Sequence, residues 1–275
     1  MRSPLLARCA VLFGYLFLIA PAPVHPTPAQ AALIHPTLTL AGGFPAQATP
    51  DQAQTPSADE VISRHIEAIG GQAAIDAIQT MKYERIYVHI EEERIYHRLV
   101  HKKRPGRSRN CAVDTGSCFI VNGNRSWTKT VNPDDGSVGW SEDEYLGSQS
   151  SNFEGMRLGP FINYREKGIT VEILDTLTVE GLPMHHLKME MANGEHWDIF
   201  FGVETGLWSR YITPGGGTVT IHDYRPVGDI LFPRLTEVKG TRRDGTPAHH
   251  LNTIISVELN VPLDDSLFRP DSPMQ

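Results

Sequence analysis

The chain has 275 residues, of which 40% are hydrophobic and 21% charged, enough for one large domain or two small ones with a sizeable core. That balance excludes a chain disordered throughout, a collagen-like fibre and a polytopic membrane protein. A net charge of −7 argues against a general nucleic-acid binder, and three cysteines are too few for a scaffold built on disulfides.

Arg2 and Arg8 give the chain a positive start, and Ala10 to Ala20 (AVLFGYLFLIA) follows as an apolar run. The run falls short of the roughly 20 residues of a membrane span and matches the core of a signal peptide. Ala29-Gln30-Ala31 supplies a small-x-small cleavage pattern, so residues 1–31 are read as a signal peptide cut after Ala31. An uncleaved anchor is the alternative. Cys9 precedes the apolar run and does not suit lipidation. Export to an oxidising compartment changes how Cys111 and Cys118 read. They flank Asp114-Thr115-Gly116, a turn sequence, and are expected to close a hairpin as a structural disulfide, with two free thiols as the alternative. Nine of the 20 prolines fall in the first 56 residues, and residues 32–56 show no periodic apolar face, which predicts a flexible arm there.

At Ser57 the character changes. Ser57-Ala58-Asp59-Glu60 is a capping box, and Val61, Ile62, Ile66 and Ile69 form a stripe at helical spacing, ended by Gly70-Gly71. A second short helix is expected over 72–79, carrying Ile75 and Ile78. From Met81 onward alternation takes over. Lys82–Ile90 places Ile86, Val88 and Ile90 on one face and Tyr83, Arg85, Tyr87 and His89 on the other. Further strands are expected over 94–104, 109–113, 118–121, 126–129, 170–177, 184–191, 196–203, 207–212, 218–224, 232–239 and 251–259. Turn sequences such as Glu180-Gly181, Asn193-Gly194 and Asp244-Gly245 separate several of them. Residues 141–164 read as a short helix or a wandering loop. The sum is a mainly β chain with a small helical part, forming one strongly curved antiparallel sheet.

Catalytic signatures are absent: no G-x-S-x-G, H-E-x-x-H, Walker A or G-x-G-x-x-G occurs. Adjacent histidine pairs, His185-His186 and His249-His250, point to opposite faces of a strand and do not chelate one ion together. No catalytic residue, metal site or cofactor is expected. The apolar strand faces say more. Leu187, Met189 and Met191 share one face, and Trp197, Ile199, Phe201 and Val203 share another, followed by Trp208 and Ile221. Methionines beside large aromatics suit an adaptable apolar pocket as well as a plain core. Between Arg94 and Arg109 there are basic residues and no acidic ones, and Arg94, Arg98 and Lys102 alternate onto one face. They read either as a solvated outer face or as a patch for anionic head groups or an acidic partner.

The chain from Asp59 to Pro270 resembles the LolA-like outer-membrane lipoprotein-sorting proteins of Gram-negative bacteria. The resemblance rests on Ile66-Glu67-Ala68-Ile69-Gly70-Gly71, Lys103-Arg104-Pro105 and Val121-Asn122-Gly123-Asn124-Arg125-Ser126-Trp127. At the C-terminal end it rests on Asp223-Tyr224-Arg225-Pro226-Val227-Gly228, Phe232-Pro233, Asn260-Val261-Pro262-Leu263-Asp264-Asp265 and Leu267-Phe268. It implies a half-open antiparallel barrel over 57–270, lidded by helices, with an apolar cavity for lipid chains, and a tail over 271–275. On that reading the protein is not an enzyme but a periplasmic carrier of lipid or lipoprotein acyl chains. Ile62, Ile66, Ile69 and Ile75 would face the cavity from the lid. Ile86, Val88, Leu187, Met189, Trp197, Ile199, Phe201, Trp208 and Ile221 would line the sheet side. Arg94, Arg98 and Lys102 would meet head groups or a membrane-associated protein partner. A regulatory module that senses envelope lipids on the same fold is the alternative.

Overall fold

The computed structural model describes residues 55–144, 158–242 and 244–270. The expected signal peptide over 1–31, all but the last two residues of the arm, and the tail over 271–275 lie outside them.

Two helices come first, α1 (Ala58–Ala68) and α2 (Gln72–Asp76). Thirteen strands follow: β1 (Thr80–His89), β2 (Arg94–Lys103), β3 (Arg107–Ala112), β4 (Cys118–Asn122), β5 (Arg125–Val131), β6 (Val138–Glu144), β7 (Thr170–Val179), β8 (Leu182–Glu190), β9 (His196–Gly202), β10 (Trp208–Ile212), β11 (Thr218–Val227), β12 (Ile230–Thr241) and β13 (Pro247–Leu259). A 3₁₀ turn, Asp265–Phe268, ends the described chain.

The ends of α1 are written in the sequence. Ser57 Oγ accepts from Glu60 N at 3.3 Å, and the Glu60 carboxylate accepts from Ser57 N at 2.6 Å, which satisfies two otherwise orphaned donors. At the other end Gly71 N reaches Ile66 O at 2.8 Å and Gly70 N reaches Glu67 O at 3.1 Å, the paired bonds of a Schellman stop. Gly70 takes the φ of 123° that the stop requires. The second helix is shorter than expected, ending at Asp76, because Ile78 drops into the core just before β1 begins.

All thirteen strands form one antiparallel sheet, ordered β6-β5-β4-β3-β2-β1-β13-β12-β11-β10-β9-β8-β7. Neighbours are nearly all joined by short turns, while the first and last strands pair in the middle. Edges β6 and β7 remain unpaired with each other, so the sheet is a strongly curved, half-open barrel. The 141–164 expectation needs correction here. Residues 138–144 form β6, an edge strand paired with β5 through Lys129 and Trp140. Its polar sequence hid it; Trp140 supplies its apolar anchor, packing on the far-face cluster of Cys111, Cys118, Ile120 and Trp127.

Both helices cover one face of the sheet. Val61 and Ile62 of α1 pack on Leu187, Met189, Ile199, Phe201, Trp208 and Ile221. Ile69, Ile75 and Ile78 pack on Met81, Tyr83, Val100, Phe232 and Ile254. Register then fixes which face every residue of β1–β3 uses, because directly opposed residues point the same way. The far face of β2–β5 carries Cys111, Cys118, Ile120 and Trp127, and the C-terminal segment runs across it. There Arg109, fully buried, donates to Leu267 O at 3.1 Å, and Lys103 donates to Leu263 O at 2.9 Å.

Candidate functional site

The helix α1 lies on an apolar floor and is tethered at both flanks. On one flank His65 Nδ1 lies 3.2 Å from Trp208 N and 3.2 Å from Gly206 O, while Arg64 donates to Glu204 O at 3.0 Å. Burial pushes the His65 pKa down to about 4, which keeps the ring neutral at ordinary pH. On the other flank Asp59 accepts from the Tyr164 hydroxyl and from Arg165 at 2.5 Å. These bonds hold the Asp59 carboxyl below the usual carboxylate range, Tyr164 first and Arg165 second. Burial, reinforced by Asp59, pushes the Tyr164 pKa up to about 12.

Beneath the helix sits an aromatic cluster. Phe161 meets Phe201 edge-on at 5.3 Å and Trp208 at 5.0 Å, and Trp208 stacks on Tyr211 at 4.9 Å. Geometry of this kind contributes beyond plain area burial. Of the residues expected to line a cavity, Leu187, Met189, Ile199, Phe201, Trp208 and Ile221 come together on this floor, with Trp197 half-buried beside them. Ile62 covers it from α1, Ile66 packs on both core clusters, and Ile69 and Ile75 cover the neighbouring one. Leu187, Met189, Ile199 and Phe201 have no solvent-accessible surface, so at these residues the floor is packed rather than hollow.

Open space begins at the flank. A cleft of about 420 Å³ lies between α1 and residues 161–166, walled by Ile62, Ser63 and Ile66 on one side and Phe161 and Tyr164 on the other. Its volume falls within the roughly 300–1,000 Å³ of ligand pockets. The Asp59–Tyr164–Arg165 clasp spans it. Sequence reasoning passed over Leu158, Phe161, Ile162, Tyr164 and His65, all buried here. The signal was present in Leu158-Gly159-Pro160-Phe161-Ile162, an apolar cluster bracketed by turn formers.

Two placements differ from expectation. Ile86 and Val88 do not face the helices. Met81 and Tyr83 fix the inward parity of β1, so Ile86 and Val88 lie on the opposite face, in line with Lys82, which pairs with Glu258 at 3.0 Å, and Glu84, which pairs with His97 at 2.9 Å. Arg94, Arg98 and Lys102 do share a face, but it is the helix-bearing one rather than a solvated exterior. They oppose His89, Arg85 and Met81 of β1 in register. Lys102 is buried, Arg98 half-buried and Arg94 exposed.

Cys111 and Cys118 stand opposite each other on β3 and β4 and form a disulfide, with Cα atoms 4.1 Å apart. Arg109 Nε points at Cys111 Sγ from 3.2 Å. Among the described residues no group of histidine, cysteine or carboxylate side chains is arranged to hold a metal ion. His186 is sandwiched between Asp175 and Asp198 at 3.1 and 3.0 Å, but on the outer face, where it stacks on Phe200.

This architecture, an open antiparallel barrel with a helical pair on its inner face, is a LolA-like fold. A LolA superfamily protein from Nitrosomonas europaea superposes with a TM-score of 0.51 at 12% identity, over 79% of this chain and 99% of that one. A DUF1329 family protein from Desulfovibrio piger superposes with a TM-score of 0.53 at 12% identity, over 77% of this chain and 97% of that one. No family model matches the sequence, and no curated protein matches it significantly.

Proposed function

We propose that the protein is a non-catalytic carrier of acyl chains, from lipids or lipoproteins, exported to the periplasm by the signal peptide over 1–31. The observation that carries this reading is the way the apolar floor is covered. Leu187, Met189, Ile199, Phe201, Trp208 and Ile221 form a continuous sheet face whose cover is one helix and one loop, not another sheet. That cover is tethered by a handful of polar contacts: His65 and Arg64 on one side, the Asp59 clasp on the other.

Displacing α1 from the loop would widen the cleft beside Ile62, Ile66 and Phe161 and expose the floor to an acyl chain. Each methylene so buried is favourable by about 0.8 kcal/mol, against which stands the lost packing of Val61 and Ile62. The lost packing lowers the net gain on binding, which suits a carrier, because it must release its cargo to an acceptor that binds it better. The LolA-like fold supports the reading at the level of architecture. A membrane-associated acceptor protein completes it.

Native mass spectrometry of protein purified from periplasm without detergent, followed by organic extraction, tests the proposal. Co-purifying lipid or acylated peptide is expected. A Ser63→Trp variant, which fills the cleft from an exposed position, is expected to lose it, and a Ser256→Trp control on the far face is expected to keep it. A bare mass that stays bare after incubation with phospholipids and lipopeptides would overturn the reading.

A further inference from the structure

The helix-bearing face changes character along its length. Beside the helices, β1, β2 and β13 present Met81, Tyr83, Val100 and Val257. One residue pair further on, Arg85 of β1 stands directly opposite Arg98 of β2. Beyond them come Tyr87 opposite Tyr96, then His89 opposite Arg94. Like charges directly opposed across strands are destabilising, so this arrangement costs the fold something.

Glu92 of the β1–β2 turn lies 3.6 Å from His89 at the far end, but among the described residues no carboxylate pairs with Arg85 or Arg98. The inward positions of β1, β2, β3 and β13 contain no aspartate or glutamate. The outer face is the reverse: Lys82 pairs with Glu258, His97 with Glu84, and Lys239 and His249 with Glu237. Among the described residues Arg98 makes no side-chain hydrogen bond or ion pair. Arg85 lies over the Tyr87 ring at 4.6 Å, and its Nε is buried without a hydrogen-bond partner. The side-chain oxygens of Asn110 and Asn252, on the same face of the flanking strands, are likewise buried without partners. Buried polar groups in native proteins are nearly always satisfied, so the unpartnered Arg85 Nε donor beside two opposed guanidiniums marks a place where an acceptor belongs, and the two amide oxygens call for a donor such as a head-group hydroxyl.

From this we infer that Arg85 and Arg98 form the binding site for the net-anionic phosphate head group of an amphiphile whose chains run toward Tyr83, Val100 and the helices. A guanidinium pair offers the forked donors that suit phosphate oxygens, and the ligand's charge would cancel the repulsion between them. The polarity gradient along one sheet face matches an amphiphile's own. This inference deepens the carrier reading, on which it rests for the chains but not for the anion.

Three probes separate the two. Short-chain phosphatidylglycerol, phosphatidylcholine of the same chain length, and inorganic phosphate are each titrated against the full mature protein and the Arg85→Gln/Arg98→Gln variant. Binding is followed by native mass spectrometry and by the shift in melting temperature. The expected result is phosphatidylglycerol at least tenfold tighter than phosphatidylcholine, a preference that the variant loses while it still binds both lipids. The unliganded variant is also expected to melt higher than the parent, which shows that it folds. Equal binding of the two lipids by the parent, or a preference that survives in the variant, would overturn the head-group site and leave the carrier reading standing. Stabilisation of the parent alone by inorganic phosphate, with neither lipid bound, would keep the anion site and overturn the carrier reading. Binding of none of the three would overturn both.

Discussion

His65 Nδ1 and the backbone N–H of Trp208 are 3.2 Å apart, and this bond joins the last turn of α1 to the first residue of β10. The same nitrogen lies 3.2 Å from Gly206 O, so the two partners compete for it. We assign the hydrogen to Nε2, because the Trp208 N–H then has an acceptor. Protonation would place hydrogens on both ring nitrogens and set Nδ1–H against Trp208 N–H, inside a cage of Phe161 and Phe201. The His65 pKa is about 4 in the fold, against an ordinary 6.5, and burial is the main cause. Because the folded value is depressed, the unfolded chain takes up the proton first. Stability is therefore intact above about pH 6.5 and falls as the pH drops toward 4, by roughly 3 kcal/mol in all. His101, on the far face beside Arg109, is also lowered to about 4 by burial and adds a slope of the same sign. Urea unfolding at pH 7 and pH 5 is expected to show the loss, and a His65→Asn variant, which keeps an acceptor without a titration, is expected to show a visibly smaller one. An unchanged pH dependence in that variant would sink the assignment.

The clasp on the opposite flank of α1 has a different energetic character. Asp59 and Arg165 are largely exposed, and exposed pairs contribute about 0–1 kcal/mol to stability. Their position across the cleft matters more than their strength. An Asp59→Ala variant is expected to unfold at nearly the parental urea concentration and yet to take up an apolar fluorescent probe several-fold faster in stopped-flow mixing. Raising the ionic strength should accelerate the parent in the same direction, and the variant much less. Equal uptake rates in parent and variant would mean that the cleft opens elsewhere.

Why the sequence revealed the floor beneath α1 but misplaced part of β1 is a matter of contrast. In β8 and β9 Leu187, Met189, Ile199 and Phe201 share one parity while Lys188, Glu190 and Asp198 occupy the other, so the inward face could be read directly. In β1 both parities are mixed: Ile86 and Val88 on one, Tyr83, Arg85 and Tyr87 on the other. Aliphatic residues were the natural choice for the inside. The structure makes the other choice because Met81 and Tyr83, nearer the helices, set the parity for the whole strand, and a period of two admits no compromise further along. The bulge at Glu84/Arg85 lies on the β13 side and leaves the alternation of β1 unbroken. The capping box of α1 was legible because it is local chemistry. Phe161 and His65 were not, because their roles depend on a loop folding back across a helix.

Gly70 closes α1 against the turn between β11 and β12, where Leu231 N donates to Ile69 O at 3.0 Å. A Cβ on Gly70 would come within 2.2 Å of Asp229 O, and its φ of 123° is one that side chains resist. Backbone can yield on neither side without giving up the helix stop or the turn. Gly70→Ala is expected to lower stability on the order of 2 kcal/mol or more, because strain at a special φ and a close backbone contact act together. Gly139→Ala, with open space around its Cβ, is the matched control and should melt within a degree or two of the parent. A Gly70→Ala protein as stable as the control would mean that the helical pair is not anchored at this turn.

The disulfide between Cys111 and Cys118 closes a short loop in a hairpin whose backbone is already paired. Loop-closure entropy for so short a loop gives about 2.5 kcal/mol, and the register that persists in the reduced fold does not alter that estimate, since the effect lies in the unfolded chain. A reductant is therefore expected to lower the melting temperature by several degrees, and Cys111→Ser/Cys118→Ser is expected to melt where the reduced parent does and to ignore the reductant. The variant should leave lipid retention untouched, because both sulfurs lie on the face of the sheet opposite the helices, under the C-terminal segment rather than over the floor. Loss of lipid together with loss of the bond would instead show that the two faces are coupled through β2 and β3.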